Sequence, residues 1–174
     1  IIMYSFEYFE ELFRNHCGDL PRGDFAVLAP LVRVDGQTHL LFEVRALHMR
    51  RQPGEVCFPG GRIEQGETPL ECAVRETTEE LGVSRERIRV AGSIGLIYTW
   101  LNEPVDVVLG EILDLEPGKL EANPDEVHET FTVPFEYFME RAPKDSYTVE
   151  KHYIWGLTAR FVNYIVKLCR EGSK

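Results

Sequence analysis

The run Arg75-Glu76-Thr77-Thr78-Glu79-Glu80 crowds three carboxylates and a guanidinium onto one short segment. On a helix, Glu76 and Glu80, four residues apart, project side by side, and Glu79, three residues from Glu76, is also a neighbour. Like charges at this spacing destabilise a helix unless something cationic lies between them. Arg75 can reach Glu79 across four residues and relieve that charge, which leaves Glu76 and Glu80 facing each other. A hard divalent cation fits the gap, because magnesium is typically held by one or two carboxylates and keeps its other positions for water and phosphate oxygens. The competing reading of the same residues is an acidic helix face turned to water.

The flanking residues say which element carries the cluster. Thr68-Pro69-Leu70-Glu71 is a capping box with proline at the first helical position, and Gly82 stands where a left-handed cap ends a helix. The helix therefore runs Pro69 to Leu81, roughly 20 Å at ~1.5 Å per residue. Leu70, Ala73, Val74, Thr77 and Leu81 form its packing stripe, and Arg75, Glu76, Glu79 and Glu80 lie off it. Before the helix, Phe58-Pro59-Gly60-Gly61-Arg62 reads as a loop whose paired glycines allow close backbone approach to a ligand. The helix N-terminus beyond it favours anions.

The rest of the chain must supply a platform. Tyr4 to Cys17 carries Phe6, Phe9, Leu12 and Phe13 at helical spacing, an amphipathic helix packing on the outside of the later elements. Phe25–Val34 and Thr38–Arg45 flank Asp35-Gly36-Gln37 as a β-hairpin, with Pro30 implying an edge or a bulge. A short strand is expected around Val56-Cys57-Phe58, and further strands at Ile88–Tyr98, Val105–Ile112, Val127–Val133 and Tyr147–Trp155. A short helix is expected from Pro134 to Met139, and a last helix from Leu157 to Cys169 with Phe161, Ile165 and Leu168 on one side. The result is a mixed sheet with helices on its faces, an α/β or α+β sandwich in one domain spanning residues 1–174.

Composition narrows the function. Acidic residues outnumber basic ones by 29 to 19, a formal charge of -10, so nucleic acid is a poor partner without a local basic patch or a metal. Cys17, Cys57, Cys72 and Cys169 form no CxxC pair and no zinc-type spacing, and read as scattered reduced thiols. No apolar run is long enough for a membrane span, and the expected setting is cytoplasmic. Ile1 and Ile2, ahead of Met3, are left out of the fold argument.

Taken as a unit, Gly61, Glu67 and Arg75-Glu76-Thr77-Thr78-Glu79-Glu80-Leu81-Gly82-Val83 resemble the Nudix box, G-x5-E-x7-R-E-U-x-E-E-x-G-U with U aliphatic. Thr77 departs from the aliphatic position, on the packing stripe and away from the acidic face. The resemblance implies an α/β/α sandwich around a mixed sheet. It also implies hydrolysis of a nucleoside diphosphate linked to another group, with magnesium or manganese. By position, Glu76 and Glu80 are then the principal metal ligands, Glu79 a further ligand or base, and Glu67 and Arg75 supporting residues.

Upstream, Leu40-Leu41-Phe42, Ala46, Met49-Arg50, Gly54 and Phe58-Pro59-Gly60-Gly61 resemble the signature of the coenzyme A pyrophosphatase branch. That signature is roughly L-L-T-x2-[SA]-x2-[LM]-R-x3-G-x3-F-P-G-G, with Phe42 read at the threonine. Ile154 to Ala159 also looks like that branch. The likeness implies hydrolysis of coenzyme A or acyl-coenzyme A to adenosine 3',5'-bisphosphate and (acyl-)4'-phosphopantetheine. Arg45, Arg50, Arg51 and Arg62, with the Gly60-Gly61 backbone, would bind a substrate that carries an additional 3'-phosphate. Surface salt bridging is the plain alternative for each arginine.

The general base is left open between the box and a later acidic loop holding Glu126 and Glu129, which equally reads as surface. His128 and His152 receive no role. Two alternatives stand beside the main reading: a Nudix pyrophosphatase for ADP-ribose, NADH or a dinucleotide, and a non-catalytic nucleotide-binding module. Oligomeric state is not legible.

Overall fold

The computed structural model describes residues 3–14, 23–116 and 118–172. Ile1, Ile2, Cys17 and the end of the expected first helix lie outside the described residues. The elements in chain order are α1 (Phe6–Arg14), β1 (Phe25–Val34), β2 (Gln37–Arg45), β3 (Val56–Cys57), β4 (Gly60–Arg62), α2 (Pro69–Leu81), β5 (Ile88–Tyr98), β6 (Pro104–Ile112), β7 (Val127–Pro134), α3 (Phe135–Met139), β8 (Ser146–Val149), β9 (His152–Trp155) and α4 (Gly156–Gly172).

Strands β1 and β2 form the expected hairpin. Asp35 and Gly36 both have positive φ, 49° and 78°, the pairing that a two-residue hairpin turn requires. Register runs from Val34 opposite Gln37 to Leu31 opposite Leu40, and there the two strands part. Into the fork goes the segment that precedes α2: β3 pairs with β2 at Glu43 and Val44, and β4 pairs with β1 at Phe25 to Val27. The outer edge of β2 carries β7, while β1 runs parallel to β6, which pairs antiparallel with β5. Seven strands thus form one mixed sheet.

Pro30 is neither at an edge nor at a bulge, a correction with a clear cause. The Leu28 N–H bonds Pro59 O on the fork side of β1. Pro30, two residues on, directs its nitrogen to the same side, at the gap between the β4-bonded and β2-bonded stretches, so no hydrogen is missed. Gly60–Arg62, expected as loop, is a strand because Gly60 has no side chain. A Cβ there would come within 2.5 Å of Ala26 O and 2.8 Å of Val27 Cα. The single strand expected over Tyr147–Trp155 is a hairpin of β8 and β9, with Glu150 at φ 53°. Its two-residue turn inverts the alternation, so Tyr147 and Ile154, an odd number of residues apart, lie opposite each other and are both buried; Glu150-Lys151 carries no glycine, asparagine or proline to mark the turn in sequence.

Helices cover both faces. Phe9 and Phe13 of α1, Phe135 and Phe138 of α3 and Phe161, Val162 and Ile165 of α4 share one core with Leu40, Phe42 and Val107 of the sheet. On the opposite face Cys72, Ala73 and Val74 of α2 pack on Ala26, Leu28 and Val108, and Leu81 packs with Leu41. Alternation along β2 therefore sends Phe42 into the large core and Leu41 and Glu43 to the α2 side. The α2 stripe differs from expectation at one end: Leu70 is 38% exposed, and Cys72 takes its place. Thr77 is fully buried without penalty, since its hydroxyl donates to Ala73 O at 2.7 Å.

Candidate metal centre

Helix α2 begins and ends as its sequence prescribes. Thr68 accepts from Glu71 N, the Glu71 carboxylate accepts from Thr68 N, and Gly82 caps the far end at φ 69°. This fixes the rotation of the helix and delivers Glu76 and Glu80 to the fork, where β4 arrives. The Glu80 Oε2 accepts a hydrogen bond from Gly60 N at 2.9 Å. The Glu76 carboxylate lies so close to Gly61 that a Cβ there would overlap it. Both glycines are needed for contact, one against the strand and one against the carboxylate.

Arg75 organises the acidic face. Its Nε and Nη2 donate to the two oxygens of Glu67 at 2.6 and 3.1 Å, and its Nη1 donates to Glu76 at 2.9 Å and Glu79 at 3.5 Å. A further bond from Nη2 reaches Arg62 O at 3.3 Å. Spacing alone pairs Arg75 with Glu79; in the structure it also holds Glu76, because the guanidinium lies across the helix toward the β4 strand. The bidentate contact with Arg75 holds the Glu67 carboxyl down at about 2.

Glu43 completes the cluster, and sequence reasoning missed it. It projects from β2 toward α2, is 2% exposed, and its Oε1 has no hydrogen-bond partner among the described residues. Its Oε2 has the Cys57 thiol at 3.8 Å. The available signal was a charged residue inside the apolar run Leu40–Val44. Counting back from Ala46 with the gap in the branch signature places its threonine at Glu43, which corrects the assignment to Phe42. Phe42 is a core residue stacked on Phe58 and Phe131.

Burial is the main force on these acids. It pushes the Glu80 carboxyl well up, with the Glu43, Glu76 and Glu126 charges adding to it against the Gly60 hydrogen bond. Glu43 is pushed up the same way, by burial first and then by Glu126. Glu76 is raised by burial, partly offset by Arg75. Three carboxylates raised by burial, with the Glu126 charge acting on each of them, form a donor set suited to a hard divalent cation. In this arrangement Glu76 is turned to Arg75, and among the described residues no three His, Cys, Asp or Glu side chains already surround a common point.

The remaining expected site residues divide. Glu126 joins the cluster: the Glu80 carbonyl accepts from Asn123 N, and Asn123 Nδ2 reaches Glu126 Oε2 at 3.4 Å. Glu129 lies in strand β7 opposite Val44, on the other face, and is engaged by His152 at 2.8 Å and Lys151 at 3.2 Å. His128 is exposed and His152 stacks on Phe131. Arg45 donates from Nε and Nη2 to Arg51 O, which shapes the 46–55 loop. Arg50, Arg51 and Arg62 are exposed, and Arg62 lies over the Phe25 ring. Thr158 of the C-terminal likeness anchors β3 by donating to Val56 O at 2.9 Å.

Comparison with known proteins identifies the family. A nematode protein, Nudix hydrolase 3 of Caenorhabditis elegans, is 42% identical over 121 residues, 67% of this chain and 50% of its own. The peroxisomal coenzyme A diphosphatase NUDT7 of Mus musculus is 36% identical over 121 residues, 69% of this chain and 50% of its own. The human mitochondrial coenzyme A diphosphatase NUDT8 is 31% identical over 165 residues, 85% of this chain and 70% of its own. The chain thus spans about half the length of the first two. Among solved structures, a Nudix hydrolase from M. Smegmatis, RenU, superposes with a TM-score of 0.60 at 18% identity, over 87% of this chain and 86% of that one. A C. elegans Ap4A hydrolase complex gives 0.57 at 16%, over 86% and 95%; both show the fold alone. No helix among the described residues is long and apolar enough to cross a membrane. Residues 24–153 match the NUDIX domain, a span that holds the fork, helix α2 and the acidic cluster, and the chain belongs to the Nudix hydrolase family.

Proposed function

We propose that the protein hydrolyses the diphosphate bond of coenzyme A or acyl-coenzyme A. Water adds to one phosphorus and the bridging oxygen leaves with the other, giving adenosine 3',5'-bisphosphate and (acyl-)4'-phosphopantetheine. Glu76 and Glu80 hold a divalent cation, magnesium or manganese, with Glu79 as a further ligand or base. Bound there, the ion would neutralise charge on the diphosphate and acidify water. Glu67 and Arg75 brace the strand-to-helix segment, and the Gly60-Gly61 backbone lets the diphosphate approach. Glu126 is the better placed of the two candidate bases, since Glu129 is committed to His152 and Lys151 on the other face.

The observation that carries the substrate choice is the arginine set. In a chain of charge -10, Arg45, Arg50, Arg51 and Arg62 make no ion pair with a carboxylate among the described residues. Unpaired arginines on the segment that flanks an acidic metal cluster suit a polyanionic substrate. The two relatives named as coenzyme A diphosphatases support the same choice. Those relatives are named for peroxisome and mitochondrion, which lends no support to a cytoplasmic setting. We also take the domain to extend beyond the matched span, because α1 and α4 contribute to the main core.

The test is product analysis by chromatography and mass spectrometry after incubation with magnesium or manganese and coenzyme A, ADP-ribose, NADH or a diadenosine polyphosphate. Adenosine 3',5'-bisphosphate from coenzyme A is the expected product. Turnover of another substrate alone would overturn the substrate choice, and no turnover with either metal would favour a binding module.

A further inference from the structure

The branch signature has threonine where this chain has Glu43, and the substitution falls inside the carboxylate cluster. Threonine there offers a neutral hydroxyl. Glutamate adds a fourth potential negative charge beside Glu76, Glu80 and Glu126, in a position 2% exposed to solvent. A buried carboxylate ordinarily has a cationic or hydrogen-bonding partner for each oxygen. Glu43 has a weak one, the Cys57 thiol at 3.8 Å from Oε2, and none for Oε1 among the described residues. Of the nearby guanidiniums, Arg45 acts on Glu43 by its charge but directs Nε and Nη2 to Arg51 O, and Arg75 is occupied by Glu67, Glu76 and Glu79. Leu41, two residues earlier on the same face of β2, packs with Leu81 at the end of α2, so Glu43 is directed toward that helix.

We propose that Glu43 is a metal ligand of this chain, a carboxylate from the sheet that meets those of α2 and lets the protein hold a divalent cation before any substrate arrives. The idea rests on the metal centre at Glu76 and Glu80 proposed above, and adds to it a residue outside the box. Glu43 supplies oxygen atoms from the wall opposite the helix, which α2 alone cannot do. With a threonine at this position the same centre would depend more on substrate phosphate oxygens to fill the coordination of the ion.

Manganese binding by substrate-free protein tests this without reference to activity. Free Mn2+ is followed by electron paramagnetic resonance during titration of wild type, Glu43→Gln, Glu43→Thr and Glu80→Gln, with circular dichroism confirming that each is folded. Both Glu43 variants are expected to bind Mn2+ on the order of tenfold or more weakly than wild type, the scale seen when groups at metal sites are removed. Glu43→Thr restores the residue type of the branch signature, so its folding is expected to survive. Unchanged affinity and stoichiometry in both Glu43 variants, with binding lost in Glu80→Gln, would overturn the role of Glu43 and leave the metal centre standing. Unchanged binding in Glu80→Gln as well would overturn both.

Discussion

Gly61 and Glu76 share one space: the carboxylate fills the position a side chain on the glycine would take. The contact joins the fork of the β1–β2 hairpin to helix α2, and through it the carboxylate face proposed to hold the metal is registered against the sheet. Gly61→Ala is therefore expected to push the Glu76 carboxylate away. The expected outcome is a folded protein destabilised by about 1–3 kcal/mol, the usual cost of overpacking, with magnesium-dependent turnover reduced at least about tenfold. Thermal unfolding and steady-state kinetics on the one variant check both parts.

The Arg75–Glu67 pair is bidentate, and lysine cannot reproduce a planar fork. Arg75→Lys is expected to cost about 1–2 kcal/mol, toward the lower end for charge-assisted bonds because the arginine is 27% exposed. Since the folded Glu67 carboxyl titrates at about 2, below its ordinary value, its contribution is present above the ordinary carboxylate range and disappears as pH falls toward about 2. Wild type and Arg75→Lys should thus converge in stability in acid. A constant difference across that range, measured by denaturant titration, would contradict the pairing.

Glu43 and Glu80 behave in the opposite sense. Burial and mutual repulsion raise both carboxyls, so the folded state binds protons more tightly than the unfolded chain. Their contribution is fully present below the ordinary carboxylate range and is lost as pH rises through the raised folded values. In chelator, the melting temperature is expected to fall from about pH 5 upward, through about pH 8 for Glu43 and about pH 10 for Glu80, and Glu80→Gln is expected to melt higher than wild type at the upper end. Added magnesium should stabilise wild type most where the carboxylates are ionised. Calorimetry with and without chelator reads each effect.

Arg50 and Arg51 carry no carboxylate partner among the described residues, so removing them should affect substrate more than fold. The Arg50→Ala, Arg51→Ala double variant is expected to raise KM for coenzyme A by about tenfold, equivalent to ~1.4 kcal/mol, with little change in melting temperature. Its KM for 3'-dephospho-coenzyme A should change much less. Equal losses on both substrates would remove the 3'-phosphate from the role assigned to these residues.

Much of this arrangement was legible in residues with local meaning. Thr68, Glu71 and Gly82 set the two ends of α2, and Asp35-Gly36 set the hairpin, because caps and tight turns are decided by a few adjacent residues. What escaped depends on distant partners. Pro30 sits in an inner strand because the partner changes beside it, and the Gly60–Arg62 strand exists because a fork elsewhere receives it. Tyr147 to Trp155 reads as one strand because its turn, Glu150-Lys151, has no glycine, asparagine or proline to announce it. In the site, the α2 carboxylates were visible from spacing alone, whereas Glu43 reaches them only once the sheet brings β2 beneath the helix. Glu126 and Glu129, indistinguishable in sequence, part because the strand begins between them and turns Glu129 to the other face.

The most direct measurement is the rate of adenosine 3',5'-bisphosphate release from coenzyme A by wild type and Glu80→Gln, each with and without magnesium. Wild type is expected to turn over only with the metal, and Glu80→Gln to be slower by about a hundredfold or more. A Glu80→Gln protein that retains magnesium-dependent turnover near the wild-type rate would contradict the metal centre on which the whole reading depends.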